Sequence, residues 1–447
     1  MTYAAVLRKK YPFIAPSMNV DHLVVGGGVV GLAVAAGLVN TAGANRTTFV
    51  VERRKLLGQE TTARNSEVIH SGIYYPVGSL KSELCIRGRD LLYDRCKVFG
   101  IGYSKTEKLI VATDKYQIPY LDDLQTHTQH PSFLRGMDTG SSMDNNSVIP
   151  AYFLNGDDAR DMEPDLSPDV CAALLVTDTG IVDSAALVES LSREIEESDY
   201  LTSAGDDGIR NGVGLKTHDF DRGEGVVVPG TRVVRIDREE NGAGWVVQLE
   251  SNWEGKGEGE TGDVEAIRAD VVVNAAGLNS ASLVEQLLPE SQRPGIWISK
   301  GNYMKYSGPG VENIQRLIYP CPSKSLDSLG THLSAANPDY WQDHLAPSDA
   351  QLESIGRSAQ LYLPGVDPTR LTPDYAGFRP NIVPPGSGFF DFVIRHEPER
   401  RGLIDMLGFA SPGLTSSLAA GERVARMVRR EVWDGNSVEA RAEGWEL

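Results

Sequence analysis

A short glycine-rich segment near the start of the chain has the spacing needed to bind a phosphate-containing ligand. The segment Gly26-Gly27-Gly28-Val29-Val30-Gly31 follows an apolar run and fits the pattern G-x-G-x-x-G. In this pattern the first glycine makes a tight turn, the second lets the backbone approach a pyrophosphate, and the third lets a helix pack on a strand. The free amides and the positive dipole end of that helix would then face the anion.

An acidic residue lies where dinucleotide-binding domains bind ribose. Glu52 comes about 20 residues after Gly31 and follows a second apolar run, Thr48 to Val51. A carboxylate there accepts hydrogen bonds from both ribose hydroxyls of an adenosine. With His22 to Val25 as the first strand and Val29 to Val39 as the helix, the segment predicts a βαβ unit. The pattern is typical of NAD and FAD sites alike and does not separate the two.

Composition and charge exclude several classes of protein. The 447 residues are 41% hydrophobic and 23% charged, which is typical of a folded chain of two or three domains. The chain has 43 Lys and Arg against 61 Asp and Glu, a formal charge of −18, so nucleic acid is not an expected partner. The four cysteines are well separated and form no C-x-x-C pair, so we expect neither a metal site nor a disulfide framework.

One apolar segment raises the question of a signal sequence or a membrane span. Leu23 to Val39 is apolar and has the basic residues Arg8 to Lys10 upstream, but it contains five glycines and is short for a span, which needs about 18 to 20 residues. A buried strand followed by a helix is therefore the preferred interpretation. The basic residues before residue 20 are weakly typical of a mitochondrial presequence. We expect a mitochondrial or cytoplasmic protein, and not a secreted one.

Further helices and strands can be predicted from periodicity and turn residues. Leu80 to Phe99 has apolar residues at helical spacing and is followed by Gly100, which predicts a helix that ends there. Trp245 to Glu250 and Glu265 to Asn274 predict a hairpin that leads into a buried strand. Helix-forming residues return at Ser416 to Arg430.

Two later segments could complete a nucleotide site. Ala269 to Gly277 predicts a buried strand that ends in small residues, and Gly408 to Thr415 contains a Ser-Pro-Gly turn before the last helix. Small residues permit close approach of a cofactor, and a helix start would direct its dipole toward an electron-rich ring. These separate pieces favour a flavoprotein of discontinuous architecture. The polar stretches Thr126 to Ser147 and Thr202 to Gly225 predict surface insertions without chemistry.

Longer strings of residues, spread over most of the chain, are more specific than the glycine pattern. They are Arg64 to Tyr75, Gly78 to Lys81, Thr179 to Asp183, Lys300 to Tyr303, Leu317 to Pro320, Leu329 to Leu333, Pro373 to Pro380 and Ser411 to Leu418. In these strings the chain resembles the FAD-dependent oxidoreductases of the D-amino-acid-oxidase superfamily, and within it the L-2-hydroxyglutarate dehydrogenase-like branch. The strings occur in the order in which that family has them.

The resemblance implies a fold, a cofactor and a set of cofactor-binding residues. The fold would be α/β, α+β overall, with a Rossmann-like FAD-binding domain and a discontinuous, mostly antiparallel-sheet substrate domain. The FAD-binding domain would comprise residues 20–100, 180–290 and 376–435, and the substrate domain residues 101–179 and 291–375. FAD would contact Gly26, Gly28, Gly31, Glu52, Arg53, Thr61, Thr62, Asn65, Ser66, Ala276, Gly277, Gly413, Leu414 and Thr415.

The resemblance also implies an activity. Similar enzymes oxidise an L-2-hydroxy acid to the 2-oxo acid, so the expected partners are a small 2-hydroxy acid and an electron acceptor, which could be a quinone, an electron-transfer flavoprotein or oxygen. Two alternatives stay open: an amine or amino-acid oxidase of the same superfamily, and an inactive flavin-binding protein. The second arises because, after Ser334, the chain lacks a hairpin of the substrate domain that the family usually has.

The resemblance also implies a substrate pocket formed by His70, Tyr75, His332 and Arg379, to which the chemistry of a hydroxy acid assigns roles. Arg379 is the candidate for the substrate carboxylate, because a guanidinium binds a carboxylate through two hydrogen bonds and stays charged. His332 is the preferred base and His70 the alternative, since the ordinary imidazole pKa of about 6.5 suits proton transfer. His70 could instead lie at the edge of the flavin. Tyr75 and Lys300 could orient a second carboxylate.

Overall fold

Four β-sheets and nine α-helices form the part of the chain that the structure, a computed structural model, describes. It describes residues 3–41, 45–133, 147–197, 200, 222–240, 242, 244–255, 260–288, 290–322, 330–333, 346 and 351–433. The helices are α1 (Tyr3–Lys10), α2 (Val29–Thr41), α3 (Leu80–Phe99), α4 (Ile118–Thr128), α5 (Gly156–Met162), α6 (Ser184–Glu196), α7 (Ser280–Glu285), α8 (Leu352–Gln360) and α9 (Gly413–Met427).

The strands, numbered in chain order, alternate with these helices along the chain. They are β1 (Met18–Val25), β2 (Thr47–Glu52), β3 (Val68–Ile69), β4 (Tyr103–Ser104), β5 (Lys108–Ala112), β6 (Ala151–Asn155), β7 (Ala172–Val176), β8 (Gly180–Val182), β9 (Glu224–Pro229), β10 (Arg232–Arg238), β11 (Trp245–Ser251), β12 (Asp263–Asn274), β13 (Trp297–Tyr306), β14 (Leu317–Pro320), β15 (Gly330–Leu333), β16 (Leu371–Asn381), β17 (Val393–His396) and β18 (Leu403–Leu407).

The largest sheet has eight strands and is built around β1. This strand pairs in parallel with β12 on one side and with β2 on the other, and β2 continues in parallel to β9. On its other edge β12 pairs first with β11, antiparallel, and then in parallel with β18 through Val272–Asn274. With α2 connecting β1 to β2, this pairing confirms the predicted βαβ unit and the Rossmann-like fold class.

Four helices cover one face of the large sheet and share one core with it. α2 is apolar around its circumference because it is buried on nearly every side. Leu32 of α2, Leu92 of α3, Leu191 of α6 and Val424 of α9 all belong to the cluster that packs on Val24 of β1. Each such buried side chain contributes about 1.5 to 3 kcal/mol, so this core fixes where α2 begins relative to the strand ends.

Three smaller sheets complete the described part of the chain, and the one formed by β3, β8 and β4 shares the core of the large sheet through Ile69 and Val182. One has the order β14-β5-β7-β6, another β15-β13-β16, and the third joins the short strands β3, β8 and β4. α4 packs on the four-stranded sheet through Leu121 and Leu124. The expected domain boundary at residue 376 lies within β16, which pairs with β13 from Leu371 to Asn381. The segments assigned to the substrate domain contribute most strands of the two larger sheets of this group.

Several predicted elements can be compared directly with the structure. α3 spans Leu80–Phe99 and ends at Gly100, which has a left-handed φ of 66°, and β11 and β12 form the predicted hairpin. The last helix begins at Gly413, three residues before its predicted start. These bounds follow the glycine and apolar positions from which they were predicted.

The two stretches predicted as surface insertions lie mostly outside the described residues. At their edges the prediction was wrong, because Ser147 is buried and its hydroxyl donates to the carbonyl of Thr128, and because Glu224 and Gly225 already belong to β9. Within the described part of the chain, no helix is long and apolar enough to cross a membrane, and no group of His, Cys, Asp and Glu side chains could hold a metal ion.

Candidate active site

A cavity of about 440 Å³ opens where β1, β2 and β12 end and α2 begins. Ligands of open parallel sheets bind at this edge, beyond the carboxyl ends of the strands. All of the predicted cofactor-binding residues except Thr415 line the cavity, and so do the predicted substrate residues His70 and Arg379. The structure therefore brings residues from the start, the middle and the end of the chain to one site.

The glycine segment forms the floor of the cavity. Gly26 has a φ of 114°, which favours glycine, and a Cβ at Gly31 would lie 2.0 Å from the carbonyl oxygen of Gly26. A Cβ at Gly28 would lie 3.2 Å from Thr62 Oγ1, on the wall of the cavity. The first amides of α2 have no partner within the helix, so the missing side chains leave a cradle in which backbone N–H groups can bind a pyrophosphate.

Glu52 lies at the end of β2, as the spacing predicted. Its carboxylate accepts hydrogen bonds from the amides of Gly27 and Arg54, both at 2.7 Å. Burial raises the pKa of Glu52, and these two hydrogen bonds oppose the shift. Beside it, Arg53 donates to Glu60 at 2.7 Å and to Asn279 at 3.2 Å. The carboxylate is thus held in place at the cavity, where a ribose would be bound.

The segment 61–66 closes one side of the cavity by joining α2 to β16. Thr62 Oγ1 accepts a hydrogen bond from the amide of Val29 at 3.1 Å, and Thr61 Oγ1 donates to the carbonyl of Phe378 at 3.1 Å. The side chain of Asn65 accepts from the amide of Glu67 at 2.6 Å and so fixes the turn. These contacts hold the predicted threonines and asparagine against the cradle.

Thr415 supports the site from behind instead of lining it. Its hydroxyl donates to the carbonyl of Val68 at 3.2 Å and accepts from the amide of His70 at 3.0 Å. Its neighbours Gly413 and Leu414, at the start of α9, line the cavity. Thr415 therefore anchors the backbone of His70 to the helix start.

His70 lies in the wall of the cavity and is linked to Tyr75 through one hydroxyl. Ser411 Oγ lies 3.3 Å from His70 Nε2 and 3.4 Å from Tyr75 Oη. Burial lowers the pKa of His70 to about 3, and the positive charge of Lys108 acts in the same direction. A histidine of such low basicity is neutral at operating pH, so it suits a hydrogen-bonding role better than that of the base.

Arg379 presents an unpaired guanidinium to the cavity. The group lies over Gly301, where a Cβ would be 3.2 Å from Nη2. Among the residues that the structure describes, Arg379 has no hydrogen-bond acceptor or ion-pair partner. A glycine under the guanidinium and an open cavity beside it leave room for a bound carboxylate.

The sheet of β15, β13 and β16 places two further predicted substrate residues, His332 and Lys300, differently. The backbone of His332 is paired with that of Ser299, and Ser299 is paired on its other side with Arg379. The three residues therefore form one row across the sheet. The side chain of His332 lies outside the described part of the structure. Lys300 is adjacent to Ser299 along β13, so its side chain is on the opposite face. Its Nζ donates to the carbonyl of Ala346, and the structure does not place Lys300 beside Arg379.

Sequence reasoning missed one buried cation next to this site. Lys108, at the start of β5, is 1% exposed, and its Nζ lies 4.4 Å from the ring centre of Tyr74 and 5.0 Å from that of Tyr319. Burial lowers the pKa of Lys108 to about 7. The signal in the sequence was a lysine directly before the apolar residues Leu109 to Ala112. Lysine is almost never fully buried unless it has a partner.

Comparison with curated proteins gives relatives of one activity. The chain is 33% identical over 438 residues to the mitochondrial L-2-hydroxyglutarate dehydrogenase of Arabidopsis thaliana, an alignment that covers 92% of this chain and 84% of that protein. It is 29% identical over 325 residues to the human protein of the same name, covering 72% of this chain and 59% of the human protein.

Comparison with solved structures gives relatives of the same fold. The L-alpha-glycerophosphate oxidase of Mycoplasma pneumoniae with FAD bound matches with a TM-score of 0.68 at 19% identity, over 92% of this chain and 94% of that chain. The glycine oxidase of Geobacillus kaustophilus matches with a TM-score of 0.63 at 18% identity, over 93% of this chain and 95% of that chain. At these identities the likeness shows the fold alone.

A family model described as FAD dependent oxidoreductase matches residues 21–427. The glycine cradle, the buried carboxylate of Glu52 and the uncovered start of α9 fit this cofactor, since they offer the pyrophosphate, the ribose and the flavin the contacts that each needs. The protein therefore belongs to the family of FAD-dependent oxidoreductases, and FAD is its cofactor.

Proposed function

We propose that the protein oxidises an L-2-hydroxy acid to the 2-oxo acid, with L-2-hydroxyglutarate as the first substrate to test. The observation that carries the proposal is the guanidinium of Arg379, which has no partner among the described residues and lies in the same cavity as the cofactor cradle. A hydroxy acid must present its carboxylate to a fixed cation if its α-carbon is to be oriented. The names of the relatives described above support the same substrate class.

The reaction removes two hydrogens from the substrate. The hydroxyl loses a proton, the α-carbon loses a hydrogen with its electron pair, and the C–O single bond becomes a carbonyl. When bound, FAD supplies the acceptor for that electron pair. Arg379 would bind the carboxylate through two hydrogen bonds, and neutral His70 would orient the hydroxyl by a hydrogen bond. His332 remains the proposed base, on the grounds of imidazole chemistry and its position in the row with Arg379.

The test is the anaerobic addition of L-2-hydroxyglutarate to the purified, FAD-loaded protein. We expect the visible flavin absorption to be bleached and one 2-oxoglutarate to form for each flavin. The D enantiomer is the matched control and should leave the absorption unchanged. No bleaching with the L enantiomer, together with bleaching by glycine or another amino acid, would contradict the proposal and support the amine-oxidase alternative.

The alternative of an inactive flavin-binding protein depends on the hairpin expected after Ser334. That segment lies outside the described residues, so its effect on activity is decided by the same experiment. A protein that retains FAD and is bleached by none of L-2-hydroxyglutarate, glycerol 3-phosphate and amino acids would support the inactive alternative.

The electron acceptor and the location of the protein are also proposals. We infer a mitochondrial location because the Arabidopsis and human relatives are named as mitochondrial, and imaging of the tagged full-length chain tests it. The acceptor is proposed to be a quinone, an electron-transfer flavoprotein or oxygen. Steady-state rates with each acceptor in turn, at fixed substrate, would identify the one that supports turnover.

A further inference from the structure

Lys108 Nζ lies 4.4 Å and 5.0 Å from the ring centres of Tyr74 and Tyr319, and Tyr319 lines the cavity of the proposed substrate site. Lys108 projects from β5, Tyr319 from the neighbouring strand β14, and Tyr74 from the segment after β3. In the described part of the chain, neither Lys108 Nζ nor either tyrosine hydroxyl has a hydrogen-bond acceptor. We call these three residues the lysine pocket. Buried polar groups are normally hydrogen-bonded, so a lysine that is 1% exposed and has no acceptor among the described residues indicates a missing acceptor.

One ring of the lysine pocket is open to water and the other lines the main cavity. Tyr74 exposes 36% of its surface, yet burial raises its pKa well above the usual value for tyrosine. Both are true of a ring that lies deep in the protein and faces a space that water can reach. Tyr319 lines the main cavity, and its ring centre lies 5.0 Å from Lys108 Nζ. The pocket can therefore receive part of a molecule whose other end lies in the main cavity.

Two tyrosines that line the cavity connect Arg379 with the lysine pocket. Arg379 covers Gly301 on β13, and Tyr303 follows Gly301 by two residues on that strand. Tyr303 lines the cavity, as does Tyr319, and the two are close enough for Tyr303 to raise the pKa of Tyr319, although burial is the larger cause of that shift. The series of neighbours from Arg379 to Lys108 thus runs through Gly301, Tyr303 and Tyr319.

The charge of the pocket favours a singly charged acceptor. The lysine, when protonated, supplies one positive charge and the tyrosines supply neutral donors, and His70 nearby is neutral because burial lowers its pKa. Arg89 of α3 is also buried, but it already has Asp90 and Asp178 as partners. A carboxylate, with one charge and two acceptor oxygens, matches this set better than a doubly charged phosphate.

We propose that Lys108, together with Tyr74 and Tyr319, binds the second carboxylate of a dicarboxylic substrate and so determines specificity at the end of the molecule remote from the reacting carbon. The proposal rests on the proposed function, in which Arg379 binds the first carboxylate. It replaces Lys300 as the candidate for this contact. It also accounts for a buried lysine that has no counter-ion among the described residues.

The first test is ligand binding, which requires no turnover. Glutarate and pentanoate have five carbons each and differ only in the second carboxylate, and their affinities for the FAD-loaded protein can be measured by calorimetry. We expect wild type to bind glutarate at least about tenfold more tightly than pentanoate, as one charge-assisted contact implies. Lys108→Met, which keeps the shape of the side chain, should abolish that preference and leave pentanoate affinity within about twofold.

Matched variants separate the pocket from general damage to the protein. Lys300→Met removes a lysine from the other face of the neighbouring sheet and should keep the preference for glutarate. Tyr319→Phe keeps the ring and removes one donor, so it should reduce the preference about fivefold. Should Lys108→Met fail to retain FAD, Tyr319→Phe and Lys108→Arg carry the test, because both keep the volume of the pocket occupied.

The second test is the specificity of oxidation. Lys108→Met should lower kcat/KM for L-2-hydroxyglutarate at least about tenfold and leave L-2-hydroxypentanoate nearly unchanged. An equal loss for both acids would overturn the proposal, since it would show that Lys108 acts on the reacting carbon or on the fold. Loss of the glutarate preference in Lys300→Met and not in Lys108→Met would overturn it as well.

The two tests also distinguish this proposal from the proposed function. A wild-type protein that prefers glutarate through Lys108 and oxidises no hydroxy acid would refute the proposed function and leave the carboxylate pocket standing. Inorganic phosphate and glycerol 3-phosphate form a third arm. If they bind through Lys108 more tightly than glutarate does, the pocket takes a phosphate and the carboxylate assignment is wrong.

Discussion

The two ends of the active-site cavity are built on different principles. At the cofactor end the polar side chains are held by the protein itself: Glu52 accepts from two backbone amides, and Arg53 is paired with Glu60. At the substrate end, Arg379 and Lys108 have no acceptor among the residues that the structure describes. The comparison teaches that the cofactor cradle is complete before binding, whereas the substrate end leaves its charges for the ligand to satisfy.

The difference lowers the stability of the folded protein at the substrate end only. An unpaired buried charge destabilises a folded protein, while a glycine cradle with bonded side chains costs little. Proteins commonly accept such local instability at functional positions. The predicted consequences of substitution therefore differ between the two ends in both size and sign.

Gly28→Val should have the largest effect and would break the cofactor end. A valine side chain would project into the cradle, so that the pyrophosphate loses its hydrogen bonds to backbone amides. We expect FAD affinity to fall by at least about 4 kcal/mol, the sum of lost charge-assisted bonds and steric overlap. The purified variant should be colourless by visible absorption and folded by circular dichroism. Gly102→Val is the control, because a Cβ at Gly102 meets only Asp183, at 3.6 Å; a yellow Gly28→Val protein would refute the cradle.

Arg379→Ala should have the second largest effect and would break the substrate end alone. The carboxylate next to the reacting carbon would lose its only assigned cation. We expect transition-state stabilisation to fall by about 3 kcal/mol, so that kcat/KM for L-2-hydroxyglutarate falls about 100-fold. FAD retention should be unchanged, because the cradle does not depend on this residue. Arg370→Ala removes an exposed arginine beside the start of the same strand and should leave the kinetics unaltered. Unchanged kinetics in Arg379→Ala would remove it from the site.

Lys108→Met should cause the smallest change in free energy of the three. Unlike the other two substitutions it should be favourable in one respect, because it should stabilise the ligand-free protein. In the folded state burial lowers the pKa of Lys108 from 10.5 to about 7, so between these pH values the unfolded chain binds more protons. The wild type therefore gains stability from this group as the pH rises through that window, and carries the full cost of the buried cation below pH 7. The titratable groups around Nζ are His70 and Tyr74, Cys85 of α3, and Tyr319 of β14.

The measurement is the thermal unfolding midpoint of Lys108→Met and wild type at pH 6 and pH 9. We expect the variant to be more stable at pH 6 by about 2 kcal/mol, or at least about 2 °C, and the difference to shrink by pH 9. Lys97→Met, at a position where the side chain is 61% exposed, should show no such dependence. A Lys108→Met protein less stable than wild type at pH 6 would mean that the lysine already has a partner.

The sequence was sufficient to predict the cofactor end and insufficient for the substrate end. The cradle depends on local spacing, as with Gly26 to Gly31, and each glycine has a steric reason that can be stated without coordinates. Lys108 becomes a candidate only when β5 pairs with β14 and the Tyr74 segment folds over it, which are long-range contacts. Alternation along β13 decides that Lys300 faces away from Arg379, and that alternation has meaning only once the register with β16 is known.

The large sheet can be completed only after most of the chain has been synthesised, because its strands come from both ends of the sequence. Its central strand β12 has β1 on one side and β18 on the other, and α9 follows β18 to bring Gly413 to the cavity. A ribosome would therefore have to release residues 403–427 before the βαβ unit at residues 18–52 could acquire its full set of neighbours. Pairing across such sequence distances is slow, and until then the nascent chain exposes strand edges and apolar surface that chaperones bind. Capture of FAD should accordingly be a post-translational event in the maturation of this protein.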